Sequence, residues 1–137
     1  MYVAGTKHGR PWRLGIADPR NPAQSFGTLD LTDGTFSTSG DYERTFIKDG
    51  VRYHHIIDPE TGMPARGCRS VTIVTNSPRL ADGLSTGVFL LGAEEGMALV
   101  ERLPDVEAVI VTDRNQVLVS GGLRDKFRQI APPSDGL

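Results

Sequence analysis

Residues 70–111 read S-V-T-I-V-T-N-S-P-R-L-A-D-G-L-S-T-G-V-F-L-L-G-A-E-E-G-M-A-L-V-E-R-L-P-D-V-E-A-V-I-V, and the hydrophobic period within them decides the fold. Residues 70–75 alternate in the manner of a strand. Leu80, Leu84, Val88 and Leu91 then recur at helical spacing and draw one apolar stripe, which Gly92 ends. A second helix fits residues 93–103, with Met97, Val100 and Leu103 inward and Pro104 as its stop. Residues 106–111 are a nearly unbroken apolar run, as in a strand covered on both faces, and 113–116 turn it into 117–119. The order strand, helix, helix, strand, strand predicts an α+β fold, with an antiparallel or mixed sheet and two consecutive helices packed on it. Strands 71–74 and 106–111 are expected to be central and neighbouring, with helix 80–91 on one face.

Upstream, the sequence predicts short strands in a meander. Trp12, Leu14 and Ile16 alternate before the stop A-D-P-R-N-P, and Phe26, Leu29 and Leu31 continue into a second strand. Asp33-Gly34 reads as a hairpin turn back into residues 35–38, and Lys48-Asp49-Gly50 as another between 42–46 and 51–57. Thr38-Ser39-Gly40-Asp41 reads as a turn suited to phosphate or to capping. Residues 58–69 form a long loop rich in Pro, Gly and Asp, and loops of that kind often carry function. Residues 1–128 are assigned to the domain and 129–137 to a fraying tail behind Pro132-Pro133.

Composition narrows the function. The 137 residues suit one domain, and 16 glycines with 9 prolines favour a turn-rich, strand-rich chain. A formal charge of −2 gives no general attraction to nucleic acid or to anionic membranes, so an anionic ligand must be held locally. Cys68, the single cysteine, rules out an internal disulfide and a multi-cysteine zinc site, and reads as a half-buried thiol. No stretch reaches the roughly 20 apolar residues of a membrane span, and residues 1–15 lack the apolar middle of a signal peptide. Residues 1–5 read as a strand already under way, so the sequence is expected to continue a longer protein.

Three groups of residues point to chemistry. Asp82, Ser85 and Thr86 stand at i, i+3 and i+4 on the first helix, which brings a carboxylate and two hydroxyls to one face. Hard oxygen donors with a single carboxylate suit Mg²⁺, while the plainer alternative makes Asp82 only a partner of the helix dipole. The same stretch matches G-x-S-x-G at 83–87, but it lies within a helix rather than on a strand-to-helix elbow. His8, His54 and His55 also all precede the serine, so a hydrolase nucleophile is rejected. His54 and His55 end an extended run, so their rings point to opposite faces; one can be solvated while the other faces a site, and a structural role is the plainer alternative.

Taken in order, T-S-G-D-Y-E-R-T-F at 38–46, D-G-V-R-Y-H-H-I-I-D-P-E-T-G-M-P at 49–64, S-V-T-I-V-T at 70–75 and A-D-G-L-S-T-G at 81–87 strongly resemble the ApbE family. These are the FAD:protein FMN transferases, formerly described as thiamine biosynthesis lipoproteins. G-R-P-W-R-L-G-I-A-D-P at 9–19 is similar to the family segment before these motifs.

The resemblance implies an ApbE-like, T-fold-like half and an enzyme that cleaves FAD at its pyrophosphate. FMN would pass to a Thr or Ser hydroxyl of a target flavoprotein, with release of AMP. It further implies Asp82 and Thr86 as Mg²⁺ ligands, with Ser85 at a position where some members carry Asp. His55 matches the family's essential-looking histidine, a candidate to deprotonate the incoming hydroxyl. Ser39, Gly40, Ile57 and Asp58 are expected to contact the flavin nucleotide or shape its pocket. Implied partners are subunits of redox systems of the Rnf and Nqr kind, and the implied setting is the bacterial cell envelope. Family members are about twice this length, so the chain is expected to be a carboxy-terminal half. Such a half would expose apolar surface and self-associate. A non-catalytic scaffold module and an FAD pyrophosphatase are the competing functions.

Overall fold

Ser77 sets the start of the first helix. Its hydroxyl accepts a hydrogen bond from the Leu80 N–H at 3.4 Å, and Pro78, which has no N–H to satisfy, occupies the first turn. The helix ends where Gly92 adopts a φ of 81°, a conformation that favours glycine. The computed structural model describes residues 1–136. In chain order its elements are β1 (Tyr2–Val3), β2 (Trp12–Ala17), β3 (Ser25–Leu31), β4 (Gly34–Gly40), β5 (Phe46–Lys48) and β6 (Val51–Tyr53). There follow β7 (Cys68–Thr75), α1 (Pro78–Leu91), α2 (Ala93–Val100), β8 (Val106–Thr112), β9 (Val117–Val119) and β10 (Phe127–Gln129).

A five-stranded sheet runs in the order β1-β4-β7-β8-β9, and each neighbouring pair is antiparallel. As expected, β7 and β8 are central and adjacent, with Val71 opposite Ile110 and Ile73 opposite Ala108. Val71, Ile73, Ala108 and Ile110 point to the helices, where they meet Ala81, Val88 and Phe89 of α1 and Val100 of α2. Val74, Val109 and Val111 point the other way, against Ile16, Phe26, Leu29 and Leu31 of the three-stranded sheet β10-β3-β2. The molecule therefore has three layers, and the middle sheet is apolar on both faces because both are covered. Gly96 allows the two helices to touch, since a Cβ there would lie 2.7 Å from Val88 Cγ1.

Four local expectations need correcting. Asp33-Gly34 does not close a hairpin, because β3 and β4 belong to different sheets. The turn is instead a crossover pinned to the amino terminus, with Asp33 Oδ1 accepting from Gly5 N–H at 2.9 Å. Residues 38–40 are not a turn; pairing with β7 extends β4 to Gly40, and the chain bends only from Asp41. The flanks of the Asp49-Gly50 hairpin are shorter than expected, and both His54 and His55 lie beyond the end of β6. Finally, the segment expected to fray is hydrogen-bonded in place. Beyond β10, Ile130 N–H bonds Phe26 O at 2.8 Å, and Ser134 donates twice to Asp18 Oδ2, at 2.7 and 2.8 Å. Arg20 also reaches Gly136 O at 3.1 Å. Leu137, the last residue of that segment, lies outside the described residues. No helix is long and apolar enough to cross a membrane among the described residues.

Candidate functional site where β4 meets α1

Strand alternation turns Ser37, Ser39 and Asp41 toward one side of β4, and Ser39 meets α1 there. Its Oγ lies 2.8 Å from Ser85 Oγ and 3.1 Å from Thr86 Oγ1. Ser85 in turn donates to the Asp82 carbonyl at 2.9 Å. The strand motif at 38–46 and the helix motif at 81–87, separate in sequence, are thus hydrogen-bonded to each other.

Asp82, Ser85 and Thr86 do not share one exposed face as their spacing predicts. The buried stripe of α1 is Ala81, Ser85, Val88 and Phe89, so Ser85 points into the sheet at 1% exposure while Asp82 and Thr86 face solvent. Leu80 and Leu91, expected in the core, are 49% and 46% exposed. Among the described residues, no hydrogen bond or ion pair engages the Asp82 carboxylate. A carboxylate and a hydroxyl one helical turn apart, both open to water, suit a hard divalent cation that keeps several of its waters. Among the described residues no three His, Cys, Asp or Glu side chains converge.

The two adjacent histidines separate into a buried and a solvated ring. His54 is 6% exposed; its Nε2–H donates to Ala65 O at 3.1 Å, its Nδ1 accepts from Ile56 N–H at 3.3 Å, and its ring lies edge-on to Phe89. Burial depresses its pKa below the ordinary 6.5, partly offset by the bond to Ala65. The neutral ring is the folded form, so stability is full above about 6.5 and declines as the pH falls through that value. Urea melts from pH 7.5 to 5 should show this decline and His54→Asn should flatten it; a parent curve level over that range would contradict the role.

His55 is exposed, and its Nδ1–H donates to Glu43 O at 3.0 Å. A carbonyl can only accept, so Nδ1 carries a proton in this bond, and in the neutral ring the lone pair lies on Nε2. Because the His54 ring rests on Phe89, one turn along α1 from Ser85, the histidine pair is fastened to the helix that carries Asp82 and Thr86.

Ile57 and Asp58 lie farther along the same loop. Ile57 is 46% exposed and bridges to Pro64. The Asp58 carboxylate is held below the usual range by Glu60 N–H at 2.9 Å and Thr61 Oγ1–H at 3.0 Å. Its bonds thus stay within its own turn, and they shape that turn. Gly40 ends β4 opposite Ser70, and the Tyr42 ring covers it so closely that a Cβ would collide. Cys68 is buried rather than half-buried, at 4% exposure, and burial pushes its thiol up to about 12, which leaves it inert.

One structural pair was missed from sequence. Arg20 forms a bidentate ion pair with Asp41 at 2.6 and 2.8 Å, both side chains at most 10% exposed, and so ties the loop after β2 to the end of β4. The only signal was Asp41 inside the 38–46 motif, and nothing local marks its partner in A-D-P-R.

A sequence model of the ApbE family matches residues 1–110. The chain belongs to the ApbE family. It is 42% identical over 139 aligned positions to the FAD:protein FMN transferase of Treponema pallidum, covering 93% of this chain and 38% of that protein. Identity to the FAD:protein FMN transferase of Vibrio cholerae is 44% over 97 positions, covering 69% and 29%. Among solved structures, the ApbE protein of Thermotoga maritima superposes with a TM-score of 0.79 at 40% identity, covering 91% of this chain and 41% of that one. The flavin transferase ApbE of Vibrio cholerae gives 0.72 at 33%, covering 90% and 40%. The chain therefore spans well under half the length of these ApbE relatives, and its α+β architecture is that of the ApbE structures.

Proposed function

We propose that this chain is the part of an FAD:protein FMN transferase that carries the divalent-cation ligands and the proton acceptor. The observation that supports the proposal is the hydrogen-bonded junction of Ser39 with Ser85 and Thr86, which brings two ApbE motifs into contact. Asp82 and Thr86 would hold Mg²⁺. When bound, that ion would neutralise negative charge on the phosphoryl oxygens of FAD. In the reaction an acceptor Thr or Ser oxygen forms a bond to the FMN phosphorus, the P–O bond to AMP breaks, and AMP leaves. The hydroxyl proton passes to His55 Nε2, the lone pair that Glu43 O keeps free. Asp58, through its rigid turn, and Ile57 and Gly40 shape the wall against which the flavin nucleotide rests. Acceptors of the Rnf and Nqr kind are the proposed partners, and exposed Phe46 and Ile47 are candidates to pack against them or against a second copy.

Incubation with FAD, Mg²⁺ and an acceptor domain, followed by intact mass and nucleotide chromatography, tests this. FMN on the acceptor with one AMP released per label is the expected result. Free FMN with AMP and no label would instead mark a pyrophosphatase, and unchanged FAD a scaffold. His55→Ala should slow labelling roughly 100-fold at saturating Mg²⁺ without altering the Mg²⁺ concentration for half-maximal rate. A rate restored by more Mg²⁺ would show His55 serving the metal instead.

A further inference from the structure

We infer that Ser39 is a positioning residue, the centre of a hydroxyl relay that fixes how Thr86 presents its oxygen, an inference that rests on the proposed metal site. The direction of the relay follows from counting protons. Ser85 has one hydroxyl proton, and it goes to the Asp82 carbonyl at 2.9 Å. In the contact at 2.8 Å Ser85 can therefore only accept, so Ser39 donates its own proton there. Ser39, with its proton spent, can only accept from Thr86 at 3.1 Å. The Thr86 proton thus points back into the protein, and its lone pairs are turned outward beside the open Asp82 carboxylate.

Two consequences separate this arrangement from what the sequence predicts. Ser85, buried and engaged as donor and acceptor, is the inner end of the relay rather than a metal ligand. Ser39 has no proton to offer a phosphate, so it acts through Thr86 instead of touching the nucleotide. Removing either serine frees the next hydroxyl to rotate. Without Ser85 the Ser39 proton can turn to Thr86, and Thr86 then directs its own proton outward, where a cation belongs.

The test uses the 137-residue chain and Mn²⁺ alone, with free Mn²⁺ measured by electron paramagnetic resonance and folding checked by circular dichroism. Ser39→Ala should weaken Mn²⁺ binding roughly 3- to 10-fold, the equivalent of one hydrogen bond. Ser85→Ala should do the same, the double variant should be no worse than either single one, and Ser39→Thr, which keeps the hydroxyl, should restore affinity. Ser39→Ala binding like the parent, or losses that add in the double variant, would overturn the relay while Asp82→Asn still abolishes binding. A parent that binds no Mn²⁺, or an Asp82→Asn chain that binds as the parent does, would overturn the metal site and the relay with it.

Discussion

In the full-length protein, Asp82→Asn is expected to lower the proposed FMN transfer by about 100-fold or more while leaving the fold intact. The side chain is exposed and engaged by no hydrogen bond or ion pair among the described residues, so its replacement by an amide of equal size removes charge and nothing else. Asp82 is also the sole carboxylate in the proposed ligand set, and Thr86 alone is a neutral donor. Circular dichroism should be unchanged and labelling of an acceptor should be lost, with excess Mn²⁺ recovering little. Wild-type labelling by the variant would show that Asp82 holds no metal needed for transfer; it lies beyond the first turn of α1, so the helix dipole gives it no alternative role.

The largest stability effect is expected from Phe89→Ala. Phe89 is fully buried, sits between α1 and the middle sheet, and holds the His54 ring edge-on at a centroid separation of 5.7 Å. Truncation to Ala leaves a cavity in the main core, and such changes cost about 3–5 kcal/mol. A domain of this size is stable by only about 5–15 kcal/mol, so a fall in melting temperature of about 10 °C or more should follow. The variant should also loosen the histidine pair, because His54 loses the surface on which it rests. A shift of under about 2 °C would mean that α1 is not docked as described.

The parts of this molecule legible in its sequence are those that a single period encodes. Strand β7, the two helices and β8 each carry a run long enough to declare itself, and their order fixes the central pair of strands. The face of α1 was less legible, because hydrophobicity favours Leu80 and Leu91 for burial over Ser85. The structure buries Ser85 because Ser39 and the Asp82 carbonyl satisfy its hydroxyl, a contact spanning 46 residues. Asp33-Gly34 misled for a related reason. An Asp-Gly pair permits reversal of the chain, but whether the strands on either side then pair depends on which sheet has a vacant edge, and β1 takes that place beside Gly34 and Thr35. The carboxy-terminal segment is held by Asp18, Arg20 and Phe26, more than 100 residues away, at a distance where no local pattern speaks.

Of the candidate site, the sequence and the ApbE resemblance named Asp82, Thr86, Ser39 and His55. What they could not supply was the division of labour among them. Burial separates Ser85 from Asp82 and Thr86, and one backbone carbonyl sets the tautomer of His55.

If β4 and α1 together build a divalent-cation site, anomalous scattering from a crystal of this chain soaked in Mn²⁺ should show one strong peak bonded to the Asp82 carboxylate and Thr86 Oγ1, absent from Asp82→Asn crystals. A peak elsewhere, or none at Asp82 with Mn²⁺ at millimolar concentration, would contradict it.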